Sequence, residues 1–153
     1  DLDAVRVPYP PKELELALKD KRLNPENTIK GKNPTNVWEI NRLNGNSKER
    51  VGHPTQKPVA IIERIVKSLS YPGAVVLDFF AGSGTVGRVC INEGRHCLMC
   101  DSNKTSIEYF NKHIELMHEN GENINYEMVE EASELFARLE GESDDVIKRT
   151  AAV

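Results

Sequence analysis

The most restrictive feature of the sequence is a short apolar run that ends in a glycine turn and continues as an amphipathic helix. Residues 74–80 read Ala-Val-Val-Leu-Asp-Phe-Phe, which is typical of a strand buried on both faces of a parallel sheet. Residues 81–84, Ala-Gly-Ser-Gly, predict a tight turn, and apolar spacing predicts a helix over residues 85–93 that Gly94 ends. The sequence therefore predicts a strand, a glycine loop and a helix in direct succession.

A second strand and a second helix follow this unit. Residues 96–100 form another short apolar run that ends at Asp101, and a helix capped by Ser102 or Asn103 is predicted to run to about residue 118. Two strands joined by a crossover helix predict a parallel βαβ unit and an α/β fold. The 153 residues provide room for one domain. The predicted apolar face of the last helix consists of Ile107, Phe110, Ile114 and Met117.

The flanking segments carry weaker signals. Residues 1–52 are poor in apolar periodicity and rich in Pro, Asn, Lys and Gly, which predicts mostly loop with one short helix over residues 13–21. Residues 59–69 have strong helical spacing, with Pro58 in the first turn. Further predictions are a strand or helix start over residues 124–129, a helix over 130–139 and a frayed tail over 141–153.

The glycine loop and the acidic residue after the second strand indicate a nucleoside cofactor. Unpaired N–H groups at a strand-to-helix turn attract anions, and Gly82 and Gly84 let a ligand approach the backbone closely. Asp101 stands about 20 positions after Asp78, where such folds place the acceptor for ribose hydroxyls. With Gly87, the two glycines also satisfy the G-x-G-x-x-G pattern, so the local pattern leaves NAD open as the ligand.

Two motifs in this order resemble those of a known family. Residues 52–58 read Gly-His-Pro-Thr-Gln-Lys-Pro, and residues 77–85 read Leu-Asp-Phe-Phe-Ala-Gly-Ser-Gly-Thr. The pair closely resembles the cofactor motifs of β-group DNA amino-methyltransferases, which act on cytosine N4 or adenine N6. The resemblance covers about residues 30–118, and it leaves the choice of base open.

The resemblance implies a partial Rossmann-like class I S-adenosylmethionine-dependent methyltransferase fold, in the C-terminal portion of such an enzyme. Residues 53–153 would bind S-adenosylmethionine, and residues 1–52 would end the target-recognition region that approaches DNA. Residues 78–85 would cradle the methionine end, Asp101 would accept the ribose hydroxyls, and residues 55–57 would approach the cofactor carboxylate. The implied cofactor-binding residues are Thr55, Gln56, Lys57, Pro58, Asp78, Phe79, Phe80, Ala81, Gly82, Ser83, Gly84, Thr85 and Asp101.

The departures from the family pattern concern packing and catalysis. Phe79 and Val86 stand where the family usually has Pro and Thr, which we interpret as tolerated packing changes. The family presents the target base with Asp/Asn/Ser-Pro-Pro-Tyr/Phe/Trp, but this sequence has only Tyr-Pro-Pro-Lys at residues 9–12. Because a flipped base needs a pocket, we predict no catalytic residue here and a catalytic segment elsewhere, in the same or another chain.

Charge is unevenly distributed along the chain. Residues 1–70 contain 13 Lys and Arg against 9 Asp and Glu, although the whole chain has a net charge of −4. A phosphate backbone favours the first half, and its cationic and amide side chains suit phosphates and base edges. The alternative is a polar surface loop that Trp38 anchors to the core. The candidate contacts to double-stranded DNA are Lys30, Lys32, Trp38, Arg42, Lys48 and Arg50.

The remaining reactive side chains favour structural roles. Cys97 and Cys100 have metal-site spacing but lie on a predicted buried strand without a second pair, so no metal site is predicted. His53 is expected to make a structural hydrogen bond, and His113 and His118 to lie at the surface. The sequence contains neither a membrane-length apolar stretch nor a leader. We therefore predict a cytoplasmic, nucleoid-associated bacterial protein with reduced thiols and no membrane partner.

Two functions fit these observations. The first is the cofactor-binding part of a restriction-modification DNA methyltransferase, which transfers a methyl group from S-adenosylmethionine to cytosine N4 or adenine N6. The second is a non-catalytic S-adenosylmethionine- and DNA-binding module, or a decayed fragment. Both cofactor motifs coexist with Asp101, which favours the enzyme, whereas the missing Pro-Pro-aromatic motif suits the module.

Overall fold

The computed structural model describes residues 2–122 together with Ile124, Tyr126 and Met128. The predictions made for residues 124–153 therefore lie almost entirely outside the described residues. A short 3-10 turn spans Asp3–Val5, and the regular elements are α1 (Pro11–Lys19), α2 (Pro25–Lys30), α3 (Val59–Leu69), β1 (Val75–Asp78), α4 (Thr85–Glu93), β2 (His96–Met99) and α5 (Ser106–Glu119).

Strands β1 and β2 form the predicted parallel pair. Val75 lies opposite His96 and Asp78 lies opposite Met99, and α4 connects the two strands. The Cys100 N–H donates to the Asp78 carbonyl at 2.9 Å, so the pairing continues to the carboxyl ends of both strands. The strand, glycine loop, helix and strand are thus arranged as an α/β unit, which confirms the predicted fold class.

The helices next to this unit begin and end where their local signals predict. Helices α3 and α4 have the predicted bounds, and Gly94 ends α4 in the left-handed region at φ 66°. The prediction that Ser102 or Asn103 caps α5 is wrong, because the residue before its first turn is Thr105. Asn103 instead belongs to the preceding turn, where its side-chain oxygen accepts the Thr105 N–H at 3.0 Å.

The N-terminal segment contains more helix than predicted. Helix α1 corresponds to the predicted helix, but α2 was not predicted. The Asn24 side chain caps α2 by accepting the backbone N–H groups of Glu26 and Asn27. The sequence Asn-Pro-Glu is a helix-start signal, and the polar composition of the segment obscured it.

The described core lies between α4, β2 and α5. Phe110, Ile114 and Met117 are buried on one face of α5 and pack against Met99, as the apolar spacing predicts. Ile107 is wrongly predicted to belong to this face, since it is 53% exposed. It lies in the first turn of the helix, before the packed residues.

The predictions that the first strand is buried on both faces and that the second is a buried strand are wrong for the described residues. Leu77 is 51% exposed, the residues of β2 are half-buried, and Cys100 is exposed. Among the described residues β1 pairs only with β2, so a sheet of two strands covers little of its own surface. No helix in this described part of the chain has the length and apolarity to cross a membrane.

Candidate functional site

The loop after β1 is held in shape by hydrogen bonds from its backbone N–H groups. The Asp78 carboxylate accepts the Phe80 N–H at 3.0 Å, and the Ala81 N–H donates to the Cys100 carbonyl at 3.0 Å. The Gly84 N–H then donates to the Ala81 carbonyl at 2.7 Å, which closes the turn into α4. The loop therefore lies across the carboxyl ends of both strands.

Asp101 binds this loop directly. Its Oδ2 accepts the Gly82 N–H at 2.8 Å and its Oδ1 accepts the Asn103 N–H at 2.8 Å. The N–H groups of Asn103 and Gly82 lower the pKa of the Asp101 carboxyl below its ordinary value. The side chain is exposed, and each oxygen has further lone-pair capacity. The structure thus brings together two residues that were predicted to share a site.

Residues 52–58, the His-Pro segment, lie next to the glycine loop of residues 81–84 at Gly82. A Cβ added to Gly82 would lie 3.5 Å from Cε1 of His53, and the His53 Nδ1 accepts the Thr55 N–H at 3.3 Å. The imidazole also packs edge-on against Tyr109, with ring centroids 5.1 Å apart. His53 makes the expected structural hydrogen bond. Sequence reasoning missed Tyr109, because no local pattern marks the helix residue that will face a distant ring.

The inner side of the glycine loop faces protein. Ser83 and Thr85 are buried, and their hydroxyl oxygens lie 2.9 Å apart. Gly84 adopts φ 75°, and a Cβ there would lie 2.9 Å from Cβ of Phe110. The space that the absent side chain leaves is therefore occupied by α5, and the expectation that Gly84 admits a ligand stays a prediction.

The outer side of the loop is open to solvent. Phe79 is 62% and Phe80 is 89% exposed, while Ala81 and Gly82 are half-buried. Together with Asp101, these residues form the accessible surface at the carboxyl ends of the strands. Both Phe80 and Asp101 are therefore accessible to solvent.

Residues 55–57, within the His-Pro segment, have different surroundings. Gln56 is buried, and its side chain accepts the Val51 N–H at 2.9 Å and donates to the Glu49 carbonyl at 2.7 Å. The Gln56 amide thus closes the loop of residues 49–56 through hydrogen bonds to its backbone. Thr55 and Lys57 are exposed, and the Lys57 ammonium donates to the Thr55 carbonyl at 3.0 Å. Pro58 immediately precedes α3.

The candidate DNA contacts fall into two groups, and the first is engaged within the protein. Lys30 pairs with Asp3 at 2.6 Å and Lys32 with Glu13 at 2.6 Å. The Trp38 ring lies 4.7 Å from the Arg64 guanidinium. These contacts favour the alternative of a structured polar surface for this first group.

The second group comprises Arg42, Lys48 and Arg50. Arg42 and Lys48 are exposed, and neither forms a salt bridge within the described part of the chain. Arg50 is half-buried and donates to the His53 carbonyl at 3.4 Å. Arg42 and Arg50 line a groove that also contains Lys57. No three His, Cys, Asp or Glu side chains are close enough to hold a metal among residues 2–122, 124, 126 and 128.

His113 was expected at the surface but is completely buried. Its Nε2 lies 3.5 Å from Oγ1 of Thr85, so it supports the inner side of the glycine loop. Burial first, and then the nearby Arg88 charge, lower the pKa of His113 to about 4. The spacing of His113 and His118 gave no sign of this, but a usable signal was overlooked, since Phe110, His113, Ile114 and Met117 are spaced as one face of a helix.

This pKa predicts a loss of stability in mild acid. The unfolded state protonates His113 near pH 6.5 and the folded state only near pH 4, so the unfolded state binds the proton first as the pH falls. The contribution of neutral His113 to the free energy of unfolding is therefore fully present above pH 6.5. About 2 kcal/mol of this contribution should be lost by pH 5. Urea unfolding of the chain and of His113→Gln at several pH values measures this, with a flatter profile expected for the variant. Parallel profiles would contradict it.

The chain shares extended sequence similarity with known proteins. The profile of the family described as DNA methylase matches residues 2–112. The type II methyltransferase M.HpaI of Haemophilus parainfluenzae is 40% identical over 108 residues, covering 71% of this chain and 31% of M.HpaI. The DNA adenine methyltransferase YhdJ of Escherichia coli strain K12 is 43% identical over 93 residues, covering 60% of this chain and 32% of YhdJ.

Among solved structures, the crystal structure of the M1.HpyAVI-SAM complex matches 53% of this chain and 41% of its own chain, with 33% identity and a TM-score of 0.43. The chain spans about a third of the length of these two curated relatives.

Proposed function

Since this chain belongs to the DNA methylase family, whose profile matches most of its length, we propose that it is the S-adenosylmethionine-binding part of a DNA methyltransferase. The reaction proposed for the complete enzyme is methyl transfer to an exocyclic amine of duplex DNA, at cytosine N4 or adenine N6. The relative YhdJ is named as a DNA adenine methyltransferase, which supports this substrate. A cytoplasmic location beside bacterial DNA is part of the same proposal.

The observation that carries the proposal is the junction of Asp101 with Gly82. The carboxylate that accepts the Gly82 N–H at 2.8 Å is exposed and has lone pairs left for ribose hydroxyls. Phe79 and Phe80 present exposed rings beside it, which suit the apolar parts of a nucleoside. These residues fit S-adenosylmethionine at the carboxyl ends of β1 and β2, the usual position of ligands in parallel α/β sheets.

The protein residues in this site bind and orient. S-adenosylmethionine supplies an electrophilic sulfonium methyl that an exocyclic amine can attack directly, without a covalent enzyme intermediate. Asp101 holds the loop, Gly82 exposes its backbone for close approach, and His53 covers the loop from the other side. Buried Ser83 and Thr85 contribute by fixing the loop from beneath. Positioning of this kind contributes to rate through orientation alone.

Stacking the flipped base and accepting its amine hydrogens require residues that we do not find in this sequence. The 153 residues contain no Asp/Asn/Ser-Pro-Pro-aromatic tetrapeptide, and we propose that a further segment supplies it in the same or another chain. The same observation supports a second candidate, a non-catalytic module that binds S-adenosylmethionine and DNA.

We expect the chain by itself to bind S-adenosylmethionine and to methylate nothing. Isothermal calorimetry measures the first, with NAD as the matched competitor because Gly82, Gly84 and Gly87 also satisfy the dinucleotide pattern. Transfer of a radioactive methyl group to duplex DNA measures the second. Heat with NAD and none with S-adenosylmethionine would refute the cofactor. Strong methylation by the 153 residues would refute the need for a further segment.

If the chain is mixed with the N-terminal two thirds of a relative, restored methylation would support the enzyme over the module. Digestion of the product to nucleosides then identifies the methylated base.

A further inference from the structure

A groove with a volume of about 530 Å³ lies between the segment of residues 40–43 and the start of α3. Its walls are apolar where Ile40, Leu43 and Ile61 line it. Three cationic side chains, Arg42, Arg50 and Lys57, line the same groove. The groove therefore combines an apolar surface with a local concentration of positive charge.

No Asp or Glu lines the groove within the described ranges. The Glu49 carboxylate accepts the Val59 N–H at 3.3 Å next to the groove, but none of its three cations forms a salt bridge in the described part of the chain. Lys30 and Lys32, by contrast, are paired with Asp3 and Glu13 at 2.6 Å. The groove is thus the place where the positive balance of residues 1–70 becomes an accessible electrostatic feature.

Most hydrogen-bond donors of the three cations remain available. Arg42 is exposed, and the bonds of the other two are single donations to carbonyls, from Arg50 to His53 at 3.4 Å and from Lys57 to Thr55 at 3.0 Å. A guanidinium has five N–H donors in a planar fork that matches a phosphate, and an ammonium has three. Two guanidinium groups and one ammonium suit a phosphate, and the apolar wall suits the sugar bonded to it.

We infer that this groove binds a backbone phosphate of DNA and that Lys57 serves this contact rather than the cofactor carboxylate. The inference rests on the proposed function, which makes DNA the substrate. It also assigns different tasks to the two ends of the His-Pro segment. His53 contacts the glycine loop, and Lys57, four residues later, faces the DNA groove.

The test is the salt dependence of DNA binding by the full 153-residue chain. Fluorescence anisotropy with a labelled duplex gives the affinity at several salt concentrations for the parent, Arg42→Gln, Arg50→Gln and Lys57→Gln. Each groove variant should bind roughly five to ten times more weakly near 0.1 M salt and should reduce the slope of log K against log salt by about 1. The matched control is Lys21→Gln, which removes one exposed charge from the same half of the chain outside the groove.

Arg42→Gln is the decisive variant, because Arg42 makes no hydrogen bond within the described residues and its loss should not alter folding. Equal losses of DNA affinity for Lys21→Gln and the groove variants would mean that DNA is attracted by the overall positive charge and not by the groove. That result would overturn the inference, as would the absence of any DNA binding. Calorimetry with S-adenosylmethionine on the same samples keeps the two proposals apart. Normal cofactor binding by Lys57→Gln supports its assignment to DNA, whereas a loss confined to cofactor binding returns Lys57 to the cofactor site.

Discussion

Replacing Asp101 with alanine is expected to weaken S-adenosylmethionine binding by about tenfold to a hundredfold, as loss of a charged hydrogen-bond acceptor does. The carboxylate has two roles that the substitution removes together. In the proposed site it accepts the ribose hydroxyls, and its Oδ2 accepts the Gly82 N–H at 2.8 Å. Calorimetric titration of the parent and the variant measures the ratio of affinities.

Two further variants separate these roles from a general effect of charge. Glu108→Ala removes the same charge from an exposed position in the first turn of α5 and should leave the affinity unchanged. Asp101→Asn keeps one acceptor for Gly82 and should lose less affinity than alanine. If Asp101→Ala bound S-adenosylmethionine as tightly as the parent, the assigned site would be wrong.

Gly84→Ala is expected to lower the free energy of unfolding by about 2–4 kcal/mol, because it combines two costs. The residue has φ 75°, where a Cβ is strained. The added Cβ would also lie 2.9 Å from Cβ and 3.3 Å from Cα of Phe110, so helix α5 must shift. Urea unfolding followed by circular dichroism measures the change.

Gly94→Ala is the matched control at the other end of α4. Gly94 has φ 66°, but nothing lies within 4 Å of its added Cβ. The free energy of unfolding of this variant should fall by only about 1 kcal/mol, the cost of placing alanine in the left-handed region. Equal losses for the two variants would show that contact with Phe110 contributes nothing.

The parts of the fold that were predictable are those with local signals. The bounds of α3 and α4 follow from apolar spacing together with Pro58 and Gly94, which act within one turn of the chain. The contact of His113 with Thr85 was not predictable in this way, because it depends on how α5 packs against a residue far away in sequence. Helix α2 was overlooked although Asn24 carries a usable capping signal.

The proximity of two candidate site residues was predictable, whereas the contacts of others were not. The pattern correctly brought Asp101 and Gly82 together, since both follow parallel strands at the same edge. It could not reveal that Gly84 makes room for Phe110, or that the Gln56 amide closes its own loop. A glycine or an amide fits a ligand or a neighbouring chain segment equally well, and only the packing of distant elements decides between them.

The hydrogen bond between Asp101 and the Gly82 N–H has a thermodynamic consequence for recognition. Fixing the backbone of a residue costs about 1–2 kcal/mol of conformational entropy, and here this cost is met during folding, when the ends of β1 and β2 are tied together. A nucleoside that binds at this site therefore meets a glycine loop whose backbone is already ordered. More of its interaction energy is then expressed as affinity.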